Sequence, residues 1–273
     1  MKTHLLFGFH AVGVRLKTHP STLVEVLVDR ERRDPRMRQF LQKLEGFGVR
    51  PVEVGVEELD RLVGGASRRH QGVAARVQPL PRSHSLDDTL DAIEASGRRN
   101  HLVLALDGIT DPHNLGACLR VADGTGVAAV VAPVDHAAGV NATVSKVASG
   151  AAETVPYFMV TNLARTLNEL KERGLQVVGT SDAAADSLYD VDLSGPTVVV
   201  LGAEGQGLRA LTARTCDRLV RIPMLGAVES LNVSVATGVV LYEAVRQRLA
   251  AGTGDPVESP PAPDVDEMSP EVG

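Results

Sequence analysis

The stretch HLVLALDGITDPHNLGACLRVADGTGVAAVVAP (101–133) decides the fold. An apolar run, HLVLALD, stops at an Asp-Gly turn. DPHN follows, then a segment with helical spacing (114–126), glycines, and a second apolar run, AAVVAP. Strands that are apolar throughout need cover on both faces, and a helix between two of them makes a parallel crossover. Asn114, or Asp111 with Pro112 in the first turn, can cap the helix by accepting hydrogen bonds from its free N–H groups. Capping does not account for Arg120. Gly116 lies four residues before it and Gly124 four after, so the three share a helix face. Each glycine costs about 1 kcal/mol relative to alanine. The expectation is that they clear space for something to approach the guanidinium; close helix packing beside an ion-paired arginine is the competing reading.

The alternation continues downstream. Helix NATVSKVASGAAE (141–153), strand VPYFMV (155–160) and helix NLARTLNELKERG (162–174) are followed by strands QVVGTS (176–181) and TVVVLGAEG (197–205). A short helix (208–217), strand RLVRIPM (218–224) and a long helix (230–250) complete the array. Upstream, strand LVEVLVDR (23–30), helix DPRMRQFLQKLEGFG (34–48), VRPVEV (49–54), helical VEELDRLVGG (56–65) and GVAARVQ (72–78) form a smaller α/β unit. PLPRSHS (79–85) separates the two, and SLDDTLDAIEASG (85–97) reads as a helix capped by Ser85. The expected organisation is a small domain at 1–79, a linker with a short helix at 80–100, a parallel α/β domain at 101–250, and a disordered acidic tail at 251–273.

The chain has 273 residues and a formal net charge of −6, unevenly spread. Residues 1–100 hold 17 Lys and Arg against 13 Asp and Glu, net +4; residues 101–250 carry −4 and residues 251–273 carry −6. A polyanion would be drawn to the N-terminal third. No apolar run approaches the roughly 18 residues of a membrane span. His4, His10 and glycines interrupt the N-terminal apolar block, so no secretory pattern is read there. The two cysteines, Cys118 and Cys216, have neither metal-ligand nor CxxC spacing and read as small core residues of a reduced, cytoplasmic protein. No metal constellation is visible.

In a doubly covered parallel sheet, ligands gather beyond the C-terminal ends of the strands. Two further post-strand loops stand out there. TVVVLGAEGQGLRA (197–210) places Gly202, Gly205 and Gly207 directly after a strand. The order differs from the dinucleotide G-x-G-x-x-G and lacks a P-loop Lys-Ser/Thr. Glu204 among the glycines fits a neutral or cationic ligand better than a phosphate. RLVRIPMLGAVESLNVSVATG (218–238) delivers Ser230, a natural N-cap, then Asn232 in the first helical turn. Asn disfavours helix interiors, so Ser230 and Asn232 are candidate hydrogen-bonding groups at the sheet's mouth.

Together DPHNLGACLR (111–120), LGAEGQGL (201–208) and IPMLGAVESLNVSVATGVVLYEAVRQR (222–248) resemble, in order and spacing, the three motifs of the SpoU (TrmH-type) branch of the SPOUT methyltransferases. GFHAV (8–12) and HQGVAARV (70–77) extend the likeness to members that methylate a guanosine ribose in the peptidyl-transferase region of 23S rRNA. The resemblance spans about residues 6–249. It implies a catalytic domain with a C-terminal trefoil knot, S-adenosylmethionine in the knot loops around Gly202, Ala203, Gly207, Ile222, Met224 and Leu231, and a homodimer. It further implies an L30e-like N-terminal domain contacting RNA through His10, Arg68, Arg69, His70 and Gln71, with 23S rRNA or a ribosome assembly intermediate as partner.

The implied reaction is attack of a ribose 2′-oxygen on a methyl already activated by a sulfonium, so the protein must align the partners and remove a proton. Arg120 is the expected indispensable residue, as base or as the group that holds the target phosphate. A guanidinium stays protonated, which leaves Glu204 or water as acceptor in the second case. Asn114 and Asn232 would orient the ribose or neighbouring side chains, and Ser230 would bind or cap. Competing readings are a SpoU enzyme for another rRNA or tRNA nucleotide, a nicotinamide-dependent Rossmann protein, whose glycine order is absent, and a non-catalytic relative, which should have lost Arg120, Asn114 or the Gly202 loop.

Overall fold

Residues 3–62, 70–78, 85–97 and 100–253 are described by the computed structural model. The expected contacts Arg68 and Arg69, parts of the expected linker and most of the acidic tail lie outside them.

The N-terminal unit is built from β1 (His4–Phe7), α1 (Phe9–Thr18), β2 (Leu23–Asp29), α2 (Pro35–Gly46), β3 (Val52–Val54), α3 (Val56–Leu62) and β4 (Val73–Val77). Its sheet runs β1-β4-β2-β3, with β4 antiparallel to both neighbours and β2 parallel to β3. Alternation divides β2 between two faces. Val26 and Val28 meet Leu16, Phe40 and Leu44 on one side, while Leu27 meets Leu59 and Val54 on the other. Asp34 caps α2 by accepting from the N–H groups of Arg36 and Met37, with Pro35 at the first helical position.

Helix α4 (Leu86–Ala95) begins at Ser85, whose hydroxyl accepts from Asp88 N. The second unit then comprises β5 (Leu102–Asp107), α5 (Pro112–Gly124), β6 (Ala129–Pro133), α6 (Ala142–Ala148), α7 (Ala151–Thr154), β7 (Tyr157–Val160), α8 (Leu163–Glu172), β8 (Gln176–Thr180), β9 (Asp186–Ser187), β10 (Thr197–Gly202), α9 (Ala210–Thr215), β11 (Arg218–Arg221) and α10 (Val233–Ala250). These strands form a seven-stranded parallel sheet ordered β7-β6-β5-β10-β8-β11-β9. The unbroken apolar strands are explained by cover on both sides. Leu102, Leu104 and Leu106 enter the core with α5 and α10, whereas Val103 and Ala105 enter the one with α4 and α8.

Three local expectations change. The helix expected at 141–153 is two helices, because Ser149 (φ 52°) and Gly150 (φ 99°) turn left-handed between them. Helix α5 starts at Pro112 with Asp111 as its cap, so Asn114 lies inside the first turn. Helix α10 starts at Val233, because Asn232 and not Ser230 is the cap.

A buried arginine joins the two units. Arg15 of α1, 1% exposed, ion-pairs with Glu153 of α7 and donates to Thr22 Oγ1 (3.1 Å) and the Gln78 carbonyl (3.2 Å).

Candidate active site

Strands β5 and β10 pair so that Asp107 and Gly202, their last residues, stand opposite each other. The chain leaves β10 through a turn too tight for any side chain at Gly202. A Cβ there would lie 2.1 Å from the carbonyl carbon of Gly207 and 2.3 Å from Leu208 N. The turn closes through Gly207 N–H donating to the Ala203 carbonyl (2.8 Å), with Gly205 and Gly207 at positive φ. The carboxylate of Asp107, fully buried, holds the far side of this turn. It accepts from Arg209 N (3.0 Å) and Arg209 Nε (2.6 Å). Asp107 was not singled out from sequence, because an Asp before Gly at a strand end reads as turn chemistry.

Beyond these strand ends lies a cavity of about 370 Å³. Gly202, Ala203, Gly207, Ile222, Met224 and Leu231 all line it, as do Glu204 and Ser230. The end of β8 and the loop after it add Thr180, Ser181 and Asp182, and the β11–α10 loop adds Glu229. These were missed although the loop after β8 is also a post-strand loop, because it has no glycines or amides to mark it. Asp182, Glu204 and Glu229 put three carboxylates on the wall, and no Lys, Arg or His among the described residues lines it. Leu201, Val220 and Val233 supply apolar surface. Such a lining suits a ligand with an apolar body and positive charge.

Asn232 joins the loops at the rim. Its Oδ1 accepts from Ser234 N (3.0 Å) and Ser234 Oγ (2.6 Å), capping α10. Its Nδ2 donates to Asn114 Oδ1 (3.0 Å) and Glu204 Oε2 (3.3 Å). Asn114, Glu204 and Asn232 therefore form one connected polar group from three separate segments. Arg120 lies exposed on α5, outside the cavity lining, with no hydrogen bond or ion pair among the described residues.

The space expected around Arg120 is not made by Gly116. A Cβ at Gly116 would lie 2.7 Å from Val147 Cβ and 2.9 Å from the Val144 carbonyl, so α6 fills that side and this glycine serves close helix packing. Cys118 is a core residue. Its Sγ lies 3.3 Å from Thr237 Oγ1 of α10, and burial pushes its thiol up to about 11.

In the N-terminal unit, His10 is exposed and Gln71 is exposed at φ 49°. His70 is not an accessible contact. It is 1% exposed, its Nδ1 accepts from Gly72 N (2.9 Å), and its Nε2 lies 3.0 Å from Asp60 Oδ1. These bonds make it the internal lock of the turn into β4.

Residues 101–242 match the SpoU rRNA Methylase family, and residues 5–83 match the RNA 2'-O ribose methyltransferase substrate binding family. The 23S rRNA (guanosine-2'-O-)-methyltransferase RlmB of Ralstonia nicotianae is 56% identical over 247 residues, covering 90% of this chain and 97% of that protein. RlmB of Photobacterium profundum is 50% identical over 250 residues, covering 91% and 99%. Among solved structures, an RNA 2'-O ribose methyltransferase superposes with a TM-score of 0.71 at 28% identity, over 90% of this chain and 89% of that one. The SpoU methyltransferase AviRb of Streptomyces viridochromogenes, in complex with AdoMet, gives 0.68 at 25% identity over 91% of each.

Proposed function

Because the chain belongs to the SpoU rRNA methylase family, we propose that it uses S-adenosylmethionine to methylate the ribose 2′-hydroxyl of a guanosine in 23S rRNA, in the peptidyl-transferase region. The observation that carries this reading is the carboxylate-lined, partly apolar cavity at the strand ends, joined at its rim to Asn114 and Asn232. The amino-acid moiety and sulfonium make this donor a net cation, which the lining favours. When bound, it supplies a methyl group whose bond to sulfur breaks as the bond to the ribose oxygen forms.

The chain's own residues hold and deprotonate. Backbone groups around Gly202, Ala203, Gly207, Ile222, Met224 and Leu231 hold the donor, and Ser230 adds a hydroxyl at the wall. Arg120, exposed and without an ion-pair partner among the described residues, binds the target phosphate and places the 2′-hydroxyl. Glu204, or water beside it, accepts the proton. Asn114 and Asn232 fix the carboxylate of Glu204 relative to α5.

The remaining assignments follow the same family reading. Residues 1–79 act as an L30e-like RNA-binding domain, 80–100 as a linker, 101–250 as the knotted methyltransferase domain and 251–273 as an acidic tail. The enzyme works in the cytoplasm as a homodimer. Val235, Tyr242 and Leu249, each about half exposed at seven-residue intervals on α10, support a helix face that a second copy covers. The test is incubation with labelled S-adenosylmethionine and 23S rRNA fragments, followed by mapping of 2′-O-methyl positions. Label on one guanosine ribose is expected. Label only on tRNA, or on a base nitrogen, would overturn the reading.

A further inference from the structure

One end of the N-terminal sheet gathers three segments that the methyl-transfer site does not use. Gly8 with the start of α1 (Phe9 and His10), the loop after β2 (Arg30–Asp34) and the turn before β4 (Gln71–Gly72) meet there. Gly8 N donates to the Val73 carbonyl (2.8 Å) and Asp29 N to the Gly72 carbonyl (2.9 Å). Arg32 spans the junction. Its guanidinium lies 4.9 Å from the centre of the Phe9 ring, ion-pairs with Asp34 and donates to the Gln71 carbonyl. The guanidinium of Arg36 lies over the same ring at 4.8 Å. Arg33 and Arg36 are exposed, and neither has an acidic partner among the described residues. His10, the residue after Phe9 in α1, is exposed.

Two features distinguish this from a merely solubilising surface. A guanidinium stacked on an aromatic face loses rotational freedom while its in-plane N–H donors stay available, the arrangement suited to bidentate phosphate binding. The cations also sit in the one third of a net-acidic chain that is net positive, so a polyanion is attracted here and repelled by the rest.

We propose that this sheet end, through Arg33 and the ring-oriented Arg36 with Arg32 beside them and His10 exposed at the start of α1, is a phosphodiester-binding site that holds the substrate RNA away from the methyl-transfer cavity. The proposal rests on the RNA-methyltransferase reading above and moves the expected contact from His70, which is buried, to the β2–α2 loop and the first turn of α2. Phosphate contacts of this kind set position and affinity while carrying no sequence information.

The test uses the full chain with Arg33→Ala and Arg36→Ala combined. Fluorescence anisotropy across a salt series is read on a 23S-derived hairpin and an unrelated hairpin of equal length. We expect affinity for both RNAs to fall at least tenfold at about 0.1 M salt, with the log–log salt slope shallower by about one to two. The thermal shift produced by S-adenosylmethionine should match wild type, showing that the fold is kept. Wild-type affinity and slope in the double variant would overturn the site. A wild-type chain that binds both hairpins but methylates no 23S fragment would overturn the functional reading and leave this site testable on the same RNAs.

Discussion

Asn232 caps α10 through its oxygen and ties Asn114 to Glu204 through its amide nitrogen. The two tasks separate by mutation. Serine is an equally good cap but cannot span to both partners. Asn232→Ser should therefore keep the denaturation midpoint near wild type and lower methyl transfer at least tenfold. Asn232→Ala should lose the same activity and about 1 kcal/mol of stability as well. Arg120→Ala should nearly abolish transfer with S-adenosylmethionine binding kept, since the side chain stands outside the cavity; full activity would remove Arg120 from the site. Arg209→Ala leaves the buried Asp107 carboxylate without its cation, and its cost, about 1–3 kcal/mol given a half-exposed partner, should come with a raised KM for S-adenosylmethionine. An unchanged KM would confine that ion pair to structure.

At the scale of elements, glycines do opposite kinds of work. Gly202 and Gly207 build the turn at the cavity, and their clustering directly after an apolar strand made them visible in the sequence. Gly116 lets α5 and α6 touch, and no local pattern separates that from a glycine clearing a ligand path. The distinguishing atoms, Val144 and Val147, are about thirty residues away. Gly116→Ala should destabilise by about 1–3 kcal/mol through overpacking. Gly124→Ala, whose Cβ would meet only the Tyr242 hydroxyl at 3.3 Å, should cost less; equal midpoints in urea would refute the packing account. The parallel sheet was legible because its strands are apolar on both faces. His70 was misread because surface histidine and buried histidine look alike until the Asp60 and Gly72 partners are known. The start of α10 was misplaced because Ser230 and Asn232 are both good caps, and only the fold selects between them.

For the whole molecule, the decisive contact is Arg15 with Glu153. The guanidinium is almost wholly enclosed, and its Nε finds no partner among the described residues. A charge so placed is tolerated only beside its counter-charge. Glu153→Gln should therefore split one calorimetric transition into two as the N-terminal unit melts separately; a single transition would show that the units are joined by other means. Helix α7 also packs on α5, where Thr154 Oγ1 meets the carboxylate of Asp123. Two polar contacts thus connect the N-terminal unit to the helix that carries Arg120.

The same pair has a consequence for descent. A lineage that changes residue 15 alone strands a carboxylate, and one that changes residue 153 alone strands an enclosed cation. Either single step is selected against, so the two positions should drift together or not at all. Across homologous sequences they should covary as a pair, although 138 residues of chain separate them.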